Sequence, residues 1–138
     1  MGFSAGNPPF RQAVARRGRF RHRKFLERGA ARPFTLGAVL IHSVYFWFKA
    51  DADPERVSAF EAGLRRLTGI DQIQQAYFGQ PEHTPVRPVI DQSYQWALVV
   101  HFDSLADHDV YQAHALHQEF LEQFAATWAR VQVYDVRV

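Results

Sequence analysis

Cysteine is absent from all 138 residues. Disulfide frameworks, thiolate metal sites and cysteine nucleophiles are therefore excluded. Long hydrophobic runs are missing too. The longest apolar stretch, Ala38 to Phe48, is interrupted by His42 and Ser43, and a membrane helix needs ~18–20 residues. There is no glycine-rich phosphate loop, no G-x-S-x-G elbow, no H-E-x-x-H helix and no calcium-loop carboxylate pattern. Acid is scarce in one part only. Residues 1–36 hold nine basic groups and the single acid Glu27, a balance of +8. Residues 37–138 hold seven basic groups and thirteen acids, a balance of −6. The overall charge of +2 thus describes neither part.

The two parts read differently. Residues 1–36 show no sustained period, and a helical reading of Val14 to Leu26 is broken by Gly18. This arm reads as a disordered basic extension. Contact with nucleic acid or an anionic membrane, through Phe20 and Phe25 among the arginines, is an alternative. A targeting segment is another. The Arg16–Arg17 pair lacks the apolar stretch that an export signal requires, so the expected location is cytoplasmic. The acidic body carries no nucleic-acid signal and no membrane signal.

From residue 37 onward the pattern is that of one folded domain. Ala38–Lys49 is rich in β-branched and aromatic residues and reads as a strand. His42, Val44, Phe46 and Phe48 fall on one face, and Ile41, Ser43, Tyr45 and Trp47 on the other. Both faces are largely apolar, so both need cover. Asp53-Pro54-Glu55 is a helix start, with Asp as N-cap and Pro at the first position. Val57, Phe60, Leu64 and Leu67 then recur at helical spacing, and Gly69 is expected as a left-handed C-cap. Ile73–Gly79 reads as a second strand. Residues 80–93 form a proline-containing loop, and Tyr94–Phe102 reads as a third strand. Ser104 with Asp107 resembles a capping box that opens a helical region in two pieces. Trp128–Val138 is rich in β-formers. The order β-α-β-β-α-β predicts an α+β, ferredoxin-like domain: a four-stranded antiparallel sheet with helices on one face. The bare face predicts a symmetric homodimer.

The segments IHSVYFWFK, RPVIDQSYQWALVVHFDS, VYQAHALHQEF and RVQVYDVRV resemble the stress-responsive α/β-barrel (Dabb) domain family over roughly residues 38–138. The Y-x-x-H-x-x-H string at Tyr111, His114 and His117 is the most specific part of that likeness. The resemblance implies a homodimeric α/β barrel built from two ferredoxin-like sheets. One branch of the family, a plant polyketide cyclase, carries out an intramolecular aldol condensation with a tyrosine and histidines. By motif, those residues correspond to His42, Tyr111 and His117. The chain departs from that branch at Trp96, where the cyclase has a histidine, and through the 80–93 loop.

Six of the seven histidines lie in the body. Three readings of them stand side by side. As an acid/base set, an imidazole near its free pKa of ~6.5 can take a proton while Tyr111 donates to a carbonyl oxygen. As a zinc site, three imidazoles would serve, although H-x-x-H is not the usual helical spacing. As structure, His42 is a satisfied polar residue between strand and helix. His114 and His117, three apart, would share one helical face, while His83 and His108 are expected in solvent.

The acid/base reading names His42, Tyr111 and His117 as catalytic, and His114, Tyr94, Trp96 and Tyr77 as substrate-binding, with no cofactor and no metal. The expected ligand is a small, partly apolar molecule. Two other functions are compatible with the sequence. One is a non-catalytic stress-response module acting through self-association. The other is a cofactor-independent monooxygenase of the wider barrel superfamily.

Overall fold

The computed structural model describes residues 39–138. The expectations for the basic arm and for its boundary at residue 36 fall outside the described residues. The domain runs β1 (Leu40–Phe48), α1 (Pro54–Leu67), β2 (Gln75–Gly79), β3 (Trp96–Phe102), α2 (Leu105–Ala113), α3 (Ala115–Phe124), a single 3₁₀ turn at Ala125–Thr127, and β4 (Trp128–Arg137). The strands form one antiparallel sheet in the order β2-β3-β1-β4. This is the ferredoxin-like α+β arrangement that the element order predicts. None of the described helices is long and apolar enough to cross a membrane.

Local chemistry explains the boundaries. The Glu55 N–H donates to Asp53 Oδ1 at 3.0 Å, which satisfies one orphan donor where Pro54 lacks an N–H altogether. Ser104 Oγ accepts from the Asp107 N–H at 3.1 Å and opens α2. Gly69 is a correction, because it does not adopt the left-handed conformation. Instead α1 tightens at its end. The Gly69 N–H donates to the Arg66 carbonyl at 3.1 Å, and the Thr68 hydroxyl donates to the Arg65 carbonyl, so the orphan carbonyls are met without a positive φ.

The period of two along β1 decides what lies inside. His42, Val44 and Phe46 are buried against the helices, whereas Ile41, Ser43, Tyr45 and Trp47 are only half-buried on the open face. On the helix face, Phe60 of α1 is the hub. It is fully buried, with ring centroids 5.1 Å from Phe46, 5.0 Å from Phe48, 5.5 Å from Phe120 and 5.1 Å from Phe124. Burial of each such side chain stabilises by about 1.5–3 kcal/mol, and edge-on ring pairs add about 0.5–1.5 kcal/mol each.

Helix α1 meets α3 at a glycine. A Cβ on Gly63 would lie 2.6 Å from Phe124 Cζ and closer still to Cε2. Phe124 has no exposed surface and is wedged between Phe60 and Phe120, so its ring cannot step aside. Gly63→Ala is therefore expected to destabilise the domain by about 1–3 kcal/mol, despite the better helix propensity of alanine. Urea unfolding at equilibrium measures this. A stabilised variant would show that the two helices separate freely.

Candidate functional site

A polar cluster interrupts the aromatic core at the end of the sheet where β1 begins. His42 lies on the helix face of β1, opposite Asp135 of β4 in the pairing register. Directly opposed residues share a face, so the two side chains meet. His42 Nδ1 is 2.6 Å from Asp135 Oδ1. A carboxylate only accepts, so Nδ1 carries the proton and the other ring nitrogen holds the lone pair. The His42 side chain is 6% exposed and that of Asp135 47%, so the pair runs from the interior to the surface.

Helices α2 and α3 close over this pair. His108 stands edge-on to His42, with ring centroids 5.2 Å apart. Tyr111 lies 6.1 Å from His42 and 4.7 Å from His117. Phe102 backs the group from β3 at 5.1 Å from Tyr111. Tyr111 is 1% exposed. Among the described residues, three buried side-chain nitrogens lack a hydrogen-bond partner: His108 Nδ1, His117 Nδ1 and Trp128 Nε1. Two of the three belong to this cluster. Unmet buried polar atoms cost about 1–3 kcal/mol each, and such sites call for a ligand or a role.

The electrostatics follow from burial. The His42 pKa lies below the usual imidazole value, chiefly because burial disfavours the cation, and the hydrogen bond to Asp135 pulls it partly back up. His117 is lowered in the same way by burial. The Gln112 carbonyl opposes that shift, and the nearby His42 and His108 reinforce it. Burial also pushes the Tyr111 phenol well above its ordinary value. At neutral pH His42 and His117 are therefore neutral and Tyr111 is protonated.

The structure thus gathers His42, Tyr111 and His117 but disperses the other expected residues. His114 is a correction. It does not share a continuous helical face with His117, because it is the break between α2 and α3, with extended backbone at φ −66° and ψ 142°. Its Nδ1 accepts from the Leu116 N–H at 3.0 Å as the N-cap of α3. Trp96 pairs with Phe46 in the register, so it faces the helices near Phe60 at the opposite end of the sheet. Tyr77 and Tyr94 lie toward the open face. Tyr77 is half-exposed on β2, and Tyr94 stands 5.0 Å from Tyr45.

Two members of the cluster escaped the sequence reading. His108 was expected in solvent beside Asp107 and Asp109. Its side chain is only 15% exposed, because it lies three residues before Tyr111 and so one helical turn along the same face. That spacing was the available signal. Asp135 carried no such signal, since only strand register sets it beside His42. A second feature lies across the sheet. Tyr45, Trp47, Asp91, Tyr94, Arg130, Gln132 and Tyr134 line an open hollow of about 270 Å³. The Arg130 guanidinium lies over the Trp47 ring at 4.4 Å.

The lowered imidazoles make stability depend on pH with a definite sign. As pH falls below 6.5, the unfolded chain takes up protons that folded His42 and His117 resist. Stability contributed above that value is lost on the way down. Urea unfolding at about pH 5.5 and about pH 7.5 is expected to show a smaller loss on acidification in His117→Asn than in the parent. Equal losses would mean that His117 titrates as it does in water.

Comparison with known proteins gives the fold a context. No curated protein matches the chain. Among solved structures, a dimeric ferredoxin-like protein of unknown function from Thermobifida fusca superposes with a TM-score of 0.63 at 19% identity, covering 79% of this chain and 99% of that one. The hydroxynitrile lyase of Passiflora edulis gives 0.61 at 16% identity, covering 72% and 93%. A Dabb family protein with a ferredoxin-like fold from Mesorhizobium loti gives 0.58 at 18% identity, covering 72% and 95%. At these identities the likeness concerns the fold. The family model of the stress-responsive A/B barrel domain matches residues 40–138, which is every element from β1 to β4, and the chain belongs to that family.

Proposed function

We propose that this protein is a homodimeric barrel that binds a small, partly apolar carbonyl compound and moves a proton on it without a cofactor. The observation that carries the reading is the convergence of His42, Tyr111 and His117 from three separate elements onto one buried spot. His117, neutral at pH 7, takes a proton from the carbon beside the carbonyl. Tyr111, kept protonated by burial, donates to the oxygen on which charge develops. His42 is fixed in one tautomer by Asp135 and orients the pair. Such general acid–base action contributes about 10²–10⁴-fold in rate. An aldol cyclisation of a polyketone, as in the cyclase branch that the sequence resembles, requires the same two acts. The cytoplasm is the proposed location.

The homodimer is supported by the open sheet face. Tyr45, Trp47 and Ile41 of β1 are half-buried in one chain alone, and Tyr77, Tyr134 and Val136 are about half-exposed beside them. A second copy of the same face covers these groups and roofs the hollow at Arg130. The relatives described as dimeric agree with this. The full chain and a form beginning at residue 37 are both expected to sediment as dimers at micromolar concentration. A monomer from either one would remove the barrel.

A second reading, a non-catalytic module acting through self-association, is favoured by one observation. Tyr111 is 1% exposed and ringed by aromatic side chains, so the cluster must open to admit a ligand. Deuterium exchange beside the carbonyl of a long-chain methyl ketone, followed by NMR, separates the two. Proton transfer predicts exchange above background in the parent and a drop of about 10²-fold in His117→Gln and Tyr111→Phe. Background exchange in the parent protein would leave the self-association reading.

A further inference from the structure

His42, His108 and Asp135 each offer one donor atom, and the three donors all lie within 4.8 Å of one another. We propose that these three residues bind a divalent transition-metal ion, zinc by preference, where the His42–Asp135 hydrogen bond now sits. Two imidazoles and one carboxylate are a donor set that suits zinc with an open fourth position for water.

Geometry supports the assignment in three ways. The first is His108. Its Nδ1 is buried without a hydrogen-bond partner, the exposed Asp109 carboxylate being 3.5 Å away, while Nε2 lies 3.2 Å from the Gln112 amide. With that amide turned to accept from Nε2, Nδ1 keeps its lone pair for the metal, and Gln112 supplies the outer hydrogen bond that fixes a ligating imidazole. The second is the His42–Asp135 contact itself. At 2.6 Å, nitrogen and oxygen already point at one another, so a small separation of the two lets both bind one ion. The ion takes the place of the shared proton, and the His42 ring keeps its one proton on Nε2. The third is access. Asp135 is half-exposed on β4, so an ion arrives from solvent without opening the core. Donors on tetrahedral zinc sit about 3.3 Å apart, so the His42–Asp135 pair opens by about 0.7 Å while separations of up to 4.8 Å in the trio close by up to about 1.5 Å, shifts within the reach of the His108 and Asp135 side-chain rotamers.

The set differs from the three-imidazole site considered from sequence. His114 is spent as a helix cap, and His117 belongs to the Tyr111 side of the cluster. Metal binding does not rest on the proton-transfer reading. An ion on His42 would take over that residue's orienting role, so ketone exchange and metal uptake are read independently.

Equilibrium dialysis of the untagged full-length protein against zinc, together with the visible spectrum of the cobalt(II) form, tests this. One ion per chain and tetrahedral cobalt bands are expected. His108→Ala and Asp135→Asn should each weaken zinc binding by more than about tenfold, because losing a ligand costs at least as much as losing an outer-shell partner. His83→Ala, in the exposed 80–95 connection, should leave binding unchanged. Asp135 is half-exposed and His108 is 15% exposed, so the variants are expected to fold, and their thermal melts check it. Equal zinc uptake by the parent and Asp135→Asn, or no uptake by the parent, would overturn the site.

Discussion

Burying one face of a central strand is the constraint on which the rest of this fold depends. Strand β1 is paired along both edges, to β3 and to β4, so its backbone groups are satisfied and its side chains can only alternate. The face carrying Val44 and Phe46 must be covered, and α1 and α3 supply Phe60, Leu64, Phe120 and Phe124 to do it. Gly63 lets those two helices approach closely enough for the aromatic rings to interlock. Since β1 sits in the middle, whatever it carries on that face is placed at the centre of the domain.

His42 is the polar exception on that face, and its position explains the chemistry. Surrounded by Phe102, Tyr111 and His108, it would be an expensive residue to bury alone. Asp135 makes it tolerable by meeting one nitrogen at 2.6 Å. The same contact fixes the tautomer, and with it the direction of the remaining lone pair. A low local dielectric then holds His42 and His117 neutral and the Tyr111 phenol protonated. The proton-transfer and metal readings use this one arrangement in different ways. A protonated carboxylate–imidazole pair orients a base, and the deprotonated position between them fits a cation.

The opposite face works by different rules. It is aromatic and only half-covered, and it is edged by Arg130 stacked on Trp47. Residues that the sequence suggests as one substrate surface divide between the two sides. Tyr77 and Tyr94 go to the open face and Trp96 to the core, because strand alternation separates even neighbouring aromatics. The 80–95 connection reaches that face too, where Ser93 accepts from the Trp47 indole N–H at 2.8 Å. In the proposed homodimer a second copy would cover this surface.

The order of elements, the cap at Asp53, the start of α2 at Ser104 and the two-faced first strand were all legible in the sequence. These are local matters, set by periods of two and 3.6 residues and by side chains that meet their own backbone. The break at His114 was legible only as a helix in two pieces, and its cap role required the actual backbone angles. Gly69 misled because a glycine after a helix permits a left-handed turn without requiring one. The cluster was half legible. Tyr111 and His117 stood in a recognisable string, and His108 lay one turn away on the same face, read as solvated because of its acidic neighbours. Asp135 lies 93 residues from His42, and no local pattern joins them. Sequence alone determined which faces must be buried, because that follows from hydrophobic spacing. Tertiary structure decided which polar groups share the buried space, because strand register and helix packing bring together residues that the chain keeps far apart.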